Sequence, residues 1–172
     1  MARIAPLDPD ALAKGRMYRQ SERFAQTRPG RWLAIHLAPR LDPLLLKLTG
    51  GRTGSFPEAK VVLLTVVGRR SGEPRTAPLL YFTEGDDVIL LASSYGRERH
   101  PAWYLNACAN PEVELRQGRD GGRYRAADVV DEAERRRLYD RAQGIFTGYG
   151  GYERRAAVVG RTIPVLRLTP LD

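Results

Sequence analysis

Residues 60–103 read KVVLLTVVGRRSGEPRTAPLLYFTEGDDVILLASSYGRERHPAW, and this stretch decides the fold. Three apolar runs, at 61–67, 77–82 and 88–92, are separated by two turns. The first turn, residues 68–75, reads GRRSGEPR and is tight and basic. It gathers backbone N–H groups and the guanidinium groups of Arg69, Arg70 and Arg75 on one small surface. Arginine forks match phosphate and carboxylate in bidentate fashion. The third run leads into a second polar loop, Ser93-Ser94-Tyr95-Gly96, and then to a helix start at Pro101. The meander reads as the carrier of an anionic cofactor, with the rest of the chain supporting or covering it.

The length of 172 residues predicts one cofactor-binding domain, residues 58–172, behind an N-terminal extension and linker, residues 1–57. Hydrophobic residues make up 42% of the chain, which argues for a globular protein. No apolar run reaches about 18 residues, so no membrane-spanning helix is expected. No charged segment leads into an apolar signal core, and the single cysteine, Cys108, allows no internal disulfide. These features point to the cytoplasm. The net charge of +8 is uneven: residues 1–60 hold 11 Lys and Arg against 5 Asp and Glu. A basic excess attracts nucleic acid, anionic lipid or anionic ligands alike. No helix-turn-helix or zinc-finger spacing supports nucleic acid.

Residues 9–27 read as a helix with Asp8 or Asp10 at its start. Pro39 and Pro43 divide the apolar residues 31–48 into two short pieces. These pieces pack on the barrel's outside or touch a membrane surface, with Trp32 and leucines toward lipid and Arg nearby for anionic head groups. The membrane reading gives the chain a peripheral membrane contact through residues 1–50 and puts the protein at the inner face of the cell membrane. Val61–Val67 is β-branched and apolar, the pattern of a central strand buried on both faces. The second strand, 75–82, carries Pro78 and needs an edge or bulge there. A hairpin turn at 84–87 leads to a third strand, 88–93. Pro101 suits the first turn of a helix reaching about Ala109. A further hairpin pairs 113–117 with 123–130. Asp131 and Glu134 form a capping box for a helix to about Gln143. Residues 145–152 read as an aromatic, Gly-rich loop, and 163–168 as a last strand. Hairpins with few intervening helices predict a mainly β, α+β chain built on an antiparallel barrel.

His36 and His100 are the only histidines, and no Cys or carboxylate cluster stands at ligand spacing, so no metal site is expected. No Walker A loop and no strand–GxGxxG–helix pattern occurs, which disfavours a Rossmann-type dinucleotide site. What remains is anion binding beside aromatics. Arg70 and Arg75 flank one turn; Ser93, Ser94, Tyr95 and Gly96 form a second cradle. The helix at Pro101 can direct its N-terminal dipole toward a ligand. Trp103 reads as core or as a stacking platform. Tyr149 and Tyr152 read as a helix face against the barrel or as a mobile lid.

The chain resembles the deazaflavin-dependent nitroreductase family, whose members bind coenzyme F420 in a split β-barrel of the FMN-binding-like type with flanking helices. The matching segments are LLTVVGRRSGEPRTAPLLYF (63–82), ILLASSYGRERHPAWYLNACANPEVEL (89–115), the capped helix after Asp131, YGGYERR (149–155) and RTIPVLRLTP (161–170). GRxSGxPR together with HPAWYxN carries the likeness.

The resemblance implies that Arg70 and Arg75 hold the cofactor's phosphate and polyglutamate tail. Thr76, Ala77 and Pro78 would lie along the deazaflavin ring. Leu91, Ser93, Ser94, Tyr95 and Gly96 would surround the ribityl chain and phosphate, with Trp103 beside the pocket. Phe146, Tyr149 and Tyr152 would face the substrate, and the Tyr149 hydroxyl would orient or protonate it, or only pack against it. The implied activity is F420H2-dependent hydride transfer to quinone-like, enone or nitro-aromatic acceptors, by a monomer or homodimer. An FMN-dependent oxidoreductase on the same barrel and a non-catalytic carrier of F420 or an apolar ligand are the alternatives. A well-known nitroimidazole reducer of the family has Lys, Gly, Tyr and Asp where this chain has Ser94, Tyr95, Phe146 and Gly160. Arg97 or Arg99 would then replace the missing lysine.

Overall fold

The computed structural model describes residues 3–12, 15, 20, 23–24, 27, 29–30 and 61–171. Within 61–171 the chain forms six strands and three α-helices, with a short 3-10 turn at Ser94–Gly96. In sequence order the strands and α-helices are β1 (Val61–Val67), β2 (Pro74–Glu84), β3 (Asp87–Leu91), α1 (Ala102–Ala109), β4 (Glu112–Gln117), β5 (Asp120–Asp128), α2 (Glu132–Ala142), α3 (Tyr149–Val158) and β6 (Val165–Pro170). The strands close an antiparallel barrel in the order β1-β2-β3-β6-β5-β4.

The pleat sorts each strand into an inner and an outer row. In β1, Val62, Leu64 and Val66 are buried, whereas Val61, Leu63 and Thr65 are half-buried. This corrects the expectation of a strand buried on both faces: a barrel packs only its inner row. The β2–β3 hairpin turns at Gly85 and Asp86 between the paired Glu84 and Asp87. Gly85 has φ +60°, as a two-residue hairpin loop demands. Tyr81, Leu90, Leu115, Tyr124, Leu166 and Leu168 fill the interior between the strands.

Strand β2 is shared between two neighbours. Residues 74–80 pair with β1, and 81–84 pair with β3. Pro78 lies in the half without a strand partner on the β3 side, the edge position that its missing N–H requires. The barrel is therefore split there, between the first half of β2 and the segment that leaves β3 after Leu91.

Helix α1 starts after Pro101, which is its N-cap rather than its first turn. Asp131 caps α2 by accepting from the Glu134 backbone N–H at 2.7 Å. The largest difference from the sequence reading is α3. Residues 149–152 lie in its first turn, not in a loop. Their two consecutive glycines between Tyr149 and Tyr152 obscured the helix, because Gly carries a low helix propensity.

The amino-terminal residues do more than extend the domain. Residues 3–8 are not helical, and among the described residues of 9–27 only 20, 23 and 24 are. Ile4 and Leu7 are buried in the barrel core. The Leu7 N–H donates to Thr83 Oγ1 at 2.9 Å, the Thr83 N–H donates to the Leu7 carbonyl at 2.9 Å, and Tyr81 Oη donates to the Ala5 carbonyl at 3.0 Å. This strap closes the end of the barrel that carries the β2–β3 hairpin. The expected membrane-facing segment, 31–48, lies outside the described residues. Among the described residues no helix is long and apolar enough to cross a membrane.

Candidate functional site

The opposite end of the barrel gathers the β1–β2 turn, residues 92–101, α1 and the entry to β6. In the turn, the Gly68 N–H donates to the Glu73 carbonyl at 2.8 Å, and the Gly72 N–H returns to the Gly68 carbonyl at 2.8 Å. Helix α1 docks on it with two asparagines one helical turn apart. The buried Asn106 Oδ1 accepts from the Arg69 backbone N–H at 3.2 Å and from Arg69 Nη1 at 3.4 Å. Asn110 Nδ2 donates to the Val67 carbonyl at 3.0 Å. Arg69, Arg70 and Arg75 remain exposed. Among the described residues, none of them is ion-paired with a carboxylate. Directly opposed residues on neighbouring strands share a face. Arg75 opposes Val66 and Ala77 opposes Leu64, so both stand on the barrel's inner side at the split. Ala77 is half-buried where Leu64 is fully buried. Thr76 and Pro78 belong to the outer row, and Thr76 Oγ1 lies 2.9 Å from Thr65 Oγ1.

The second cradle sits beyond Leu91. Ser94 and Tyr95 have φ of +49° and +59°, two consecutive left-handed residues that are not glycine. Such strain persists only where the surroundings enforce it, and it concentrates at functional sites. Gly96 follows with φ +77°, and a Cβ there would stand 2.4 Å from the Tyr152 carbonyl oxygen. Glycine is required because the loop presses on the α3 backbone. Arg155 Nε donates to the Tyr95 carbonyl at 3.2 Å and its guanidinium lies 5.0 Å from the Tyr152 ring centre.

Helix α3 then presents an aromatic wall. Phe146 meets Tyr149 and Tyr152 at 5.6 and 5.7 Å, Tyr149 meets Tyr152 at 6.0 Å, and Tyr95 meets Tyr152 at 5.7 Å. Tyr139 Oη donates to the Tyr149 carbonyl at 2.8 Å. Tyr149 and Tyr152 are each 6% exposed, which places them in a packed helix face rather than on a mobile lid. Trp103 is half-buried and stands edge-on to Tyr104 at 6.3 Å.

The sequence reading passed over four residues of this end. Asn106 closes the HPAWYxN motif, and only the docking of α1 reveals it as the turn's anchor. His100 lies 5.2 Å from the Tyr104 ring, and Tyr104 Oη donates to Asp128 Oδ2 at 3.1 Å. Burial, chiefly, holds the Tyr104 hydroxyl well above its ordinary range. Arg161 reaches from the entry to β6 back to the 92–97 loop.

A family model described as F420H(2)-dependent quinone reductase matches residues 44–170. The chain belongs to that family. A Mycobacterium tuberculosis H37Rv protein named as an F420H(2)-dependent quinone reductase is 36% identical over 109 residues, 63% of this chain and 88% of that protein. A second H37Rv protein named F420H(2)-dependent quinone reductase is 39% identical over 93 residues, 51% of this chain and 62% of the relative. The match to the second spans less than two thirds of that protein's length. A solved structure described as an F420-H2 dependent reductase superposes with a TM-score of 0.56 at 31% identity, over 63% of this chain and 92% of that one. Another, described as a domain-swapped dimer, gives 0.58 at 27% identity, over 81% and 98%. The fold is the split β-barrel of the FMN-binding-like type. The protein is an F420-dependent reductase, and coenzyme F420 is its cofactor.

The residues present fit that group. A planar ring needs an open strand edge, and the first half of β2 pairs with β1 but has no strand partner on its β3 side. A phosphate and a carboxylate tail need cations that no carboxylate already neutralises, and Arg69, Arg70 and Arg75 are such cations among the described residues. No group of three or more His, Cys, Asp or Glu able to hold a metal occurs among the described residues.

Proposed function

We propose that the protein passes a hydride from F420H2 to quinone-like acceptors at the open end of the barrel. Enones and nitro-aromatic compounds are the next acceptor classes in this reading. The observation that supports it is that one end of the barrel carries exposed guanidinium groups with no described carboxylate partner, at 69–75, and a loop, 93–97, packed on the aromatic face of α3. The bound cofactor supplies the hydride. Arg70 and Arg75 bind its anionic groups, and Ser93, Ser94, Tyr95 and Gly96 hold its chain between β2 and α3. The backbone of residues 76–78 forms the floor under the ring: Ala77 faces it, Thr76 and Pro78 lend main chain while their side chains stand in the outer row, and Leu91 and Trp103 lie at its edges. Phe146, Tyr149 and Tyr152 exclude water and orient a flat acceptor. The Tyr149 hydroxyl is our candidate for the proton that the reduced acceptor takes up. Phe146 brings no hydroxyl to that wall, which favours packing over proton delivery at its position.

The test is a fluorescence titration with F420, run beside an FMN titration, followed by turnover with a soluble quinone. Saturable F420 binding and quinone reduction support the reading. FMN binding alone moves the chain to flavin chemistry on the same barrel, and F420 binding without transfer to any acceptor makes it a carrier. A pairing of two copies, as in the domain-swapped relative, is our reading of its assembly; light scattering of the purified chain tests it. Contact of residues 31–48 with an anionic membrane rests on their Trp, Leu and Arg pattern, and liposome flotation of the full chain tests it.

A further inference from the structure

We propose that Arg161 is the positioning residue of the 92–97 loop: it shapes the backbone there into an anion-receiving concavity. The inference rests on the reading of this loop as a cofactor contact, yet it begins from contacts within the protein itself.

The starting point of the Arg161 side chain is fixed. Helix α3 ends in a glycine cap in which the Gly160 N–H donates to the Ala157 carbonyl at 3.0 Å and the Arg161 N–H to the Ala156 carbonyl at 2.9 Å. This double bond pattern, with Gly160 at φ +68°, locks the turn after the helix. From there the guanidinium spans three acceptors. Nη1 donates to the Ala92 carbonyl at 3.2 Å, Nη2 donates to the Ser93 carbonyl, and Nη1 lies 3.3 Å from His100 Nδ1. Arginine only donates, so His100 Nδ1 accepts and the imidazole proton sits on Nε2. Among the described residues, no carboxylate pairs with Arg161. Its Nε is buried and has no hydrogen-bond partner. Desolvation pushes the pKa of the guanidinium down. A cation held in this way is costly to the fold alone, because burial is compensated only by dipoles.

What the cation holds gives it a purpose. In a trans peptide the C=O and the following N–H point in opposite directions. Binding the carbonyls of Ala92 and Ser93 therefore turns the N–H groups of Ser93 and Ser94 away from Arg161. Ser93 is right-handed, with φ −65° and ψ −37°, and Ser94 is left-handed. A right-handed residue followed by a left-handed one makes successive N–H groups converge into an anion-binding nest. Arg161 fixes both carbonyls behind that nest, and its unneutralised charge adds to the field in front of it.

The experiment compares wild type, Arg161→Ala and a control, Glu84→Gln, which weakens ion pairs at the other end of the barrel. Three quantities are read: the melting temperature, F420 affinity, and the rate of tryptic cleavage after the exposed Arg97 in the cofactor-free protein. For Arg161→Ala we expect F420 Kd and the cleavage rate after Arg97 each to rise about tenfold, from the loss of charge-assisted bonds. At saturating F420H2, kcat should change little, and non-denaturing guanidinium ion should restore part of the affinity. Unchanged Kd and cleavage in a folded variant overturn the proposal. So does Glu84→Gln producing the same two rises at an equal loss of melting temperature. If Arg161→Ala does not fold, Arg161→Lys replaces it; that side chain keeps the charge but lacks the fork, and the same two outcomes decide. If wild type binds no F420, the proposed function fails, and the cleavage rate alone still judges Arg161.

Discussion

The two ends of the barrel use arginine in opposite ways. At the closed end, Glu84 accepts from Arg137, Arg141 and Arg167, and Arg167 also reaches Asp87 and Glu134. Arg141 extends this network to Asp8 and Asp10 of the amino-terminal strap. Each cation there faces a carboxylate, and the field is spent on joining α2, β2, β3, β6 and the strap. At the open end, Arg69 leans on an asparagine and Arg161 on two carbonyls and a histidine, while Arg70 and Arg75 stand exposed. No described carboxylate neutralises these four. A cation without an anion is left free to meet an anionic ligand, as at Arg70 and Arg75, or to hold main-chain carbonyls, as at Arg161. The difference separates charges that hold the fold together from charges held ready by it.

Breaking the closed end should cost stability and little else. Deleting residues 1–12 exposes the sites of Ile4 and Leu7 and removes the bonds to Tyr81 and Thr83. We expect a loss of about 3–5 kcal/mol in urea unfolding, with F420 affinity unchanged in the fraction that stays folded. A large loss of affinity would mean that the two ends are coupled.

Breaking the open end should do the reverse, with one instructive exception. Gly96→Ala sets a Cβ against the α3 backbone at a left-handed position. It should cost about 2–3 kcal/mol of stability and most of the F420 affinity, because the loop and α3 must separate. Retained affinity would show that the loop does not touch the cofactor. Arg75→Ala should leave the melting temperature alone and weaken F420 binding by about 1.5–3 kcal/mol. An unchanged Kd would move the anionic groups away from this turn.

Acidity sharpens the contrast most gently. The Arg137 and Arg167 hydrogen bonds hold the Glu84 carboxyl at about 2, against an ordinary 4.5. The unfolded chain takes up that proton first. Glu84 therefore stabilises the fold fully above about pH 4.5, and this contribution drains as pH falls toward about 2. Glu84→Gln should remove part of the acid-unfolding slope in that window and cost about 1–2 kcal/mol at pH 7. At the open end, burial and the Arg161 charge hold His100 below its ordinary 6.5, against the pull of Asp128. Its neutral form is the native one, so its contribution falls as pH drops below about 6.5. His100→Gln should flatten the stability profile there by a few tenths of a kcal/mol.

The amino-acid order alone determined the strand meander, the antiparallel barrel, the capped helix after Asp131 and the basic turn at 68–75. These follow from local rules: alternation, β-branching, turn glycines and a capping box act within a few residues of one another. The edge position of Pro78 was legible for the same reason, since a missing N–H restricts where a strand can pair. The tertiary structure alone decided the rest. Residues 149–158 become a helix because Tyr149, Tyr152 and Ala156 find a buried face, which outweighs two helix-weakening glycines. Residues 3–8 become a strap because Thr83, Tyr81 and Tyr124 wait 76 to 120 positions away to receive them. Arg161 meets Ala92, Ser93 and His100 only once β6 closes on β3. Such contacts leave no periodic trace in the chain, because their partners are chosen by the closure of the barrel and not by neighbours in sequence.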